Sequence, residues 1–280
     1  MSGRLLHLSN WLQLIKELPI QVIIVHDVRD EETRKELTEL IMKVNNPAIE
    51  LVEGVFGSPG AARNFGFQQT SGEWICFWDS DDIPNVHTAL LSCQNQSENV
   101  DVVVGAYVIR NTNLAEISEM PRATNSPLEI ATDPGIWRMI FKSASISGLR
   151  FNHFRMAEDQ LFLLDLNIPR RSIVFTKEIL YTYIVGQPTQ ATKNYDSIRD
   201  IEKSLRVISS KMKSYSGVQS TIAWIMFINQ ALTGFKHLRA GSKLRIVSLL
   251  FDALLKNGIR NPKSLLDAGK LVFKAKVSIR

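Results

Sequence analysis

The stretch GEWICFWDSDDIPN, residues 72–85, decides how the rest of the chain is read. An apolar, aromatic run from Trp74 to Trp78 ends in Asp79, Ser80, Asp81 and Asp82, with Pro84 close behind. It reads as a buried strand that delivers carboxylates to the carboxyl edge of a sheet, where ligands of open α/β folds bind. Like charges this close repel one another. A hard divalent cation relieves the repulsion and takes further oxygens from substrate phosphates, so the pattern points to Mg²⁺ or Mn²⁺ with a phosphate ester or diphosphate. The same residue types also suit a solvated turn, since Asp, Ser and Pro are ordinary turn residues.

Upstream, SPGAARNFGFQQT (58–70) opens with Ser at an N-cap position and Pro at the first helical position. A helix starting there offers free backbone N–H groups to an anion, with Arg63 on its first turn; a surface ion pair is the other reading of Arg63. QVIIVHD (21–27) reads as a buried strand whose last residue, Asp27, would reach the same sheet edge and accept hydrogen bonds from a base or ribose. An Asp after a strand also suits a helix N-cap. DEETRKELTELIMKV (30–44) has helical spacing, AIELVEG (48–54) and DVVVGAYVIR (101–110) read as strands, and residues 85–96 as a helix. Alternation of this kind predicts parallel strands joined by crossover helices from 21 to 108.

Downstream, residues 111–134 are polar and contain prolines, which places loops and an acceptor-facing insertion there. GIWRMIFK (135–142) reads as a brief helix carrying Trp137, and EWICFWD (73–79) as one continuous strand. MAEDQLFLLDL (156–166) reads as a helix with Glu158 and Asp159 in its first turn, where negative charge also suits the dipole. SIVFTKE and LYTYIV, within 172–185, read as strands, and the chain is helical from about Asp196 onward, with breaks near Ser216, Gly241 and Asn261. The expected organisation is a domain over 1–195 and a basic helical region over 196–280.

Composition narrows the function. Two cysteines offer neither a disulfide framework nor metal-ligand spacing, which fits a reducing, cytoplasmic setting. The five histidines form no HExxH cluster, and neither GxSxG nor Walker A occurs. No secretory signal is evident, and the longest apolar stretch falls far short of the roughly 20 residues a bilayer span needs. Residues 1–200 hold 18 basic and 25 acidic side chains, whereas 201–280 hold 15 and 3, net −7 and +12. The basic helices suit an anionic membrane surface, or equally a packed bundle with a solvated basic face. Nucleic acid is not an expected partner, because the acidic part would oppose it.

Taken in order, VIIVHDVRDEET, GSPGAARNFGFQQTSGEWICFWDSDD and GLRFNHFRMAEDQLF resemble the family 2 glycosyltransferases, across roughly residues 8 to 190. The resemblance implies the GT-A fold, an α/β class with a Rossmann-like mixed sheet flanked by helices, here with a helical C-terminal extension. It implies a nucleotide-sugar donor bound across the sheet edge, with Mn²⁺ or Mg²⁺ bridging the diphosphate to the acidic motif. Asp27 then matches the aspartate at the nucleobase, Arg63 an arginine beside the donor, Asp79 and Asp81 the donor motif, and Asp81 with Asp82 the metal ligands. Asp159, beside Glu158, matches the catalytic base that takes a proton from an acceptor hydroxyl and inverts the anomeric centre. Gln187, Thr189 and Gln190 match a loop closing on the diphosphate, and Trp137 an acceptor wall, although a Trp there also suits the core. The implied acceptor is a glycan or lipid-linked hydroxyl in surface polysaccharide assembly, with the protein peripheral at the inner face of the cell membrane.

One departure stands out. Family members usually open with a hydrophobic strand ahead of the helix that here reads LLHLSNWLQLIKEL (5–18), and only Met1 to Arg4 precede it. That strand would lie between the strands at 21–27 and 73–79. A start placed too late, a truncated pseudoenzyme or binding protein of the same fold, and another segment filling the gap are the three explanations.

Overall fold

Val22, Ile23, Ile24 and Val25 are β-branched in succession and cannot settle into a helix as readily as into an extended chain. In the computed structural model, which describes residues 3–115, 121–186, 195–238 and 240–277, they form β1 (Val22–Asp27), after helix α1 (Gly3–Leu14). Then follow α2 (Glu31–Val44), β2 (Ile49–Gly54), α3 (Pro59–Gln68), β3 (Trp74–Cys76), β4 (Ile83–Pro84), α4 (Val86–Gln94) and β5 (Val102–Asn111). Next come α5 (Pro127–Thr132), β6 (Met139–Lys142), α6 (Ser143–Ile146), α7 (Glu158–Leu166), β7 (Ile173–Val185), α8 (Tyr195–Lys211), α9 (Gly217–His237), α10 (Ala240–Ala253) and α11 (Pro262–Val277). A π turn, Leu254–Gly258, follows α10.

The chain divides into two compact units. The first comprises residues 1–124, 136–148 and 172–188 and holds all seven strands of the described residues. Parallel β1 and β2 form one sheet, and the order β3-β6-β5-β7-β4 forms the other. The expected parallel, crossover-linked pattern therefore holds for β1 and β2, whereas β3 is antiparallel to β6. α1 and α2 cover β1 through Leu8, Leu12, Ile15, Leu37 and Leu40, all buried.

Three readings change here. Residues 135–142 are not a helix but a 3₁₀ turn, Ile136–Arg138, followed by β6. Met139, Ile140 and Phe141 are all buried, and pairing with β3 on one edge and β5 on the other outweighs the helical spacing. β3 stops at Cys76 rather than Asp79, because β6, its only strand partner among the described residues, ends its pairing opposite Cys76. The two strands expected within 172–185 are one, β7, whose pairing with β5 shifts register around Gly105. A Cβ at Gly105 would lie 2.2 Å from Leu180 Cγ, so only glycine admits that crossing.

The second unit, residues 125–135, 149–171 and 189–280, is helical. Its axis is α9, where Trp224, Ile225, Met226 and Phe227 are buried in succession. A helix apolar all round is a core helix, and α5, α7, α8, α10 and α11 pack around it.

Candidate active site

Several strand and helix ends in the first unit contribute polar groups, and hydrogen bonds hold each in place. Asp27 closes β1 and accepts from the backbone N–H of Gly57 at 3.1 Å and Phe56 at 3.3 Å, and from Arg29 Nε at 2.7 Å. Arg29 chiefly, with those amides, holds its carboxyl well below the usual carboxylate range. Gly57 has φ +72°, a left-handed turn that glycine adopts without strain, and it aims the chain into α3. Ser58 caps α3 by accepting from Ala61 N at 3.2 Å, with Pro59 at the first helical position, as the sequence predicts.

α3 then projects Arg63 onto Asp79, Nη2 to Oδ1 2.7 Å. Arg63 is 15 % exposed and Asp79 36 %, so this is a partly desolvated pair. The backbone N–H of Asp79 donates to Tyr181 Oη at 3.1 Å, and that hydroxyl donates to Asp82 Oδ2 at 3.0 Å. The other Asp82 oxygen accepts from Ile184 N at 2.7 Å. Burial pushes the Asp82 carboxyl up to about 8, with the charges of Asp79 and Asp81 adding to it and the Ile184 amide opposing. Tyr181 is likewise driven up by burial and by the same carboxylates. Thus β7 holds the acidic turn from beneath through one hydroxyl and one amide.

Asp81 is the half-exposed member of the adjacent pair and Asp82 is 2 % exposed. The charge of Asp81 acts on His7 of α1, whose pKa burial nevertheless lowers. These residues fit a hard cation in one respect: Asp81 and Asp79 are accessible oxygen donors of the kind that share such an ion with substrate phosphates. Asp82 fits less well, since each of its oxygens already accepts a hydrogen bond. Among the described residues no group of three or more His, Cys, Asp or Glu side chains is placed to hold a metal unaided.

Trp137 lies in the 3₁₀ turn before β6, stacked on Tyr183 with centroids 5.3 Å apart and planes at 4°, and on Tyr181 at 4.7 Å. Tyr107 meets it edge-on at 4.7 Å. It belongs to an aromatic cluster over β5 and β7.

In the second unit, Asp159 sits half-exposed in the first turn of α7, with Glu158 buried beside it. Ala157, the residue before the helix, has φ +69° and caps nothing with its side chain, an uncommon conformation for a residue with a Cβ. Gln187, Thr189 and Gln190 lie outside the described residues. The structure thus joins Arg63, Asp79 and Asp82 in one network, sets Asp81 beside it, and anchors Asp27 separately to the loop before α3. Sequence reasoning missed Arg29, Tyr181 and the Ile184 amide. Tyr181 did carry a signal, because a tyrosine in an apolar strand needs a partner for its hydroxyl.

Residues 5–157 match the family described as Glycosyl transferase family 2. A curated relative, the poly(ribitol-phosphate) beta-glucosyltransferase of Bacillus spizizenii, is 24 % identical over 177 residues, 59 % of this chain and 27 % of that protein. The chain thus spans about a quarter of that relative's length. Among solved structures, TarS residues 1–349 of S. aureus in complex with UDP-GlcNAc superposes with a TM-score of 0.71 at 19 % identity, covering 97 % of this chain and 84 % of that one. The mannosyltransferase PcManGT of Pyrobaculum calidifontis, in complex with GDP-Man and Mn²⁺, gives 0.55 at 11 % identity, covering 97 % and 83 %. These likenesses agree with the mixed α/β fold described above, with its mixed sheet flanked by helices and its helical C-terminal part.

Proposed function

The chain belongs to glycosyl transferase family 2, and from that premise we propose that it moves a sugar from a nucleotide-sugar donor to an acceptor hydroxyl, with inversion. The observation that carries this reading is the Arg63–Asp79–Tyr181–Asp82 network at the end of β3, which fixes an acidic turn with Asp81 left accessible. TarS has been crystallised with UDP-GlcNAc and with UDP, so a uridine nucleotide is the first donor class to test. The relative's poly(ribitol-phosphate) chemistry makes a polyol-phosphate surface polymer the first acceptor class.

In this reading Asp27 orients the base or ribose, and Arg63 holds Asp79 in place against the donor. Asp82 positions the turn from below, and Asp81, with Asp79, would hold Mn²⁺ or Mg²⁺ together with the diphosphate. When bound, such a cation would stabilise the charge that develops on the leaving nucleotide. Asp159 takes the acceptor proton as the hydroxyl attacks the anomeric carbon, a role typically contributing about 10²- to 10⁴-fold. Trp137 lines the acceptor side.

The C-terminal helices add a location. On α10 the exposed Leu244, Val247 and Phe251 share one stripe, on α11 Leu266 and Phe273 share another, and lysines 243, 263, 270 and 274 flank them. No described helix is long and apolar enough to cross a membrane, but such stripes suit the surface of an anionic bilayer. We place the protein peripherally at the cytoplasmic face.

Thermal-shift titration with UDP-sugars and GDP-sugars, with and without Mn²⁺, followed by assay of nucleotide release on poly(ribitol phosphate), tests the reading. A metal-dependent shift with a UDP-sugar and acceptor-stimulated release is the expected result; no shift with any nucleotide sugar rejects it. A second reading, donor binding without turnover, is favoured by the edge of β1 away from β2, which has no strand partner among the described residues, and predicts the shift without the release.

A further inference from the structure

Asp159 lies in the first turn of α7, behind Ala157, whose φ of +69° puts a residue with a Cβ in the left-handed region. Backbone held there persists only where its surroundings over-determine it. Two helices of the second unit do so, one on each side of Ala157. Before it, the backbone N–H of Arg155 donates to Asp200 Oδ2 of α8 at 2.8 Å. Asp200 is buried, and its other oxygen accepts from Lys203 Nζ at 2.7 Å. After it, Gln230 Nε2 of α9 donates to Gln160 Oε1 at 2.9 Å, and the backbone N–H of Gln160 donates in turn to Asp159 Oδ1 at 2.7 Å.

Gln230 is an unlikely residue for the core of α9. It is 3 % exposed on a helix whose side chains from Ile222 to Phe227 are apolar and buried, and its Oε1 has no hydrogen-bond partner among the described residues. A buried acceptor left unpaired is destabilising, so an apolar side chain of similar size would suit the core better. α9 carries a second glutamine of the same kind about three turns earlier. Gln219 is also buried, donates Nε2 to Leu164 O of α7 at 3.0 Å and leaves its Oε1 unpartnered among the described residues. Thus α9 grips α7 twice, Gln219 near the end of the helix and Gln230 at the turn that carries Asp159.

We propose that Gln230 and Asp200 are positioning residues for Asp159. Gln230 acts along the chain of bonds through Gln160, which limits rotation of the Asp159 carboxylate, and Asp200 fixes the turn before it through Arg155. The proposal rests on the reading of Asp159 as the base. A base must stand within hydrogen-bond reach of the hydroxyl it deprotonates, and a misplacement of about 1 Å can cost about 10²-fold in rate. The C-terminal helices are then part of the transfer machinery, although neither residue touches the substrate.

The test compares Gln230→Leu, Gln219→Leu, Asp200→Ala and Asp200→Asn in the full chain. It reads kcat for nucleotide release, donor affinity, thermal unfolding and exchange of the Gln160 amide. Gln230→Leu should lower kcat at least about tenfold, with donor affinity within about twofold of the parent and Tm kept or raised, and should speed Gln160 exchange at least about tenfold. Gln219→Leu removes the same kind of bond away from the base and should keep the parental kcat. Asp200→Ala should lower kcat, and Asp200→Asn, which keeps an oxygen for the Arg155 amide, should recover most of it. A parental kcat in Gln230→Leu overturns the proposal, as does an equal loss in Gln219→Leu or a loss accompanied by a fallen Tm. Asp200→Ala that fails to fold, or that matches Asp200→Asn, removes Asp200 from it. In an Asp159→Asn background Gln230→Leu should lower kcat no further, and a further tenfold loss would overturn action through Asp159. Near-parental transfer by Asp159→Asn alone overturns the base instead, and Gln160 exchange then still decides whether α9 holds that turn.

Discussion

Tyr181 does two jobs with one oxygen, accepting from the Asp79 amide and donating to Asp82, while wholly buried. Tyr181→Phe keeps the ring stacked on Trp137 and removes both bonds, so it should destabilise the protein by about 1–3 kcal/mol in urea unfolding and weaken donor binding with it. Unchanged stability would mean that the acidic turn is held from elsewhere. Asp27 allows a pH prediction with a definite sign. Its folded pKa is depressed, so its contribution is present above the unfolded value of about 4 and is lost as pH falls below it. Asp27→Asn should therefore be less stable than the parent at pH 7, by about 1 kcal/mol from weakened bonds to the Phe56 and Gly57 amides. The exposed Arg29 pair adds little. The gap should begin to narrow below about pH 4 and go on shrinking as pH falls toward the depressed folded value. A gap that does not narrow between pH 5 and pH 2 contradicts the assignment.

At the scale of elements, β5 and β7 form the longest pairing of the five-stranded sheet, and their crossing depends on the absent Cβ of Gly105. Gly105→Ala drives a methyl into Leu180 and should cost about 1–3 kcal/mol, read as a lowered urea midpoint with an unchanged slope. Paired with Leu180→Ala, which makes room, most of that loss should return. What the sequence revealed and hid follows from the same geometry. The end of β1, the start of α3 and the first turn of α7 were legible, because caps, prolines and acidic turns are signals spanning a few residues. The support that β7 gives to Asp79 and Asp82 was not, since Tyr181 and Ile184 lie about a hundred positions away. β6 was misread for a related reason: two strand partners fixed Met139–Phe141, and neither leaves a mark in that segment.

For the whole molecule, the last 80 residues carry a net charge of +12 against −7 for the first 200 and display exposed Leu244, Phe251, Leu266 and Phe273. Flotation with phosphatidylglycerol-containing liposomes should recover the protein at low salt and release much of it at 0.5 M NaCl, whereas Phe251→Ser with Phe273→Ser should reduce recovery at both. Recovery equal on neutral and anionic vesicles would remove the electrostatic part. The central claim, sugar transfer with Asp159 as the base, is tested most directly by UDP release from a UDP-sugar that binds, in the presence of poly(ribitol phosphate), for the parent and Asp159→Asn. The predicted result is a fall in kcat of at least about 10²-fold with donor affinity unchanged. Transfer at near-parental rate by Asp159→Asn would contradict it.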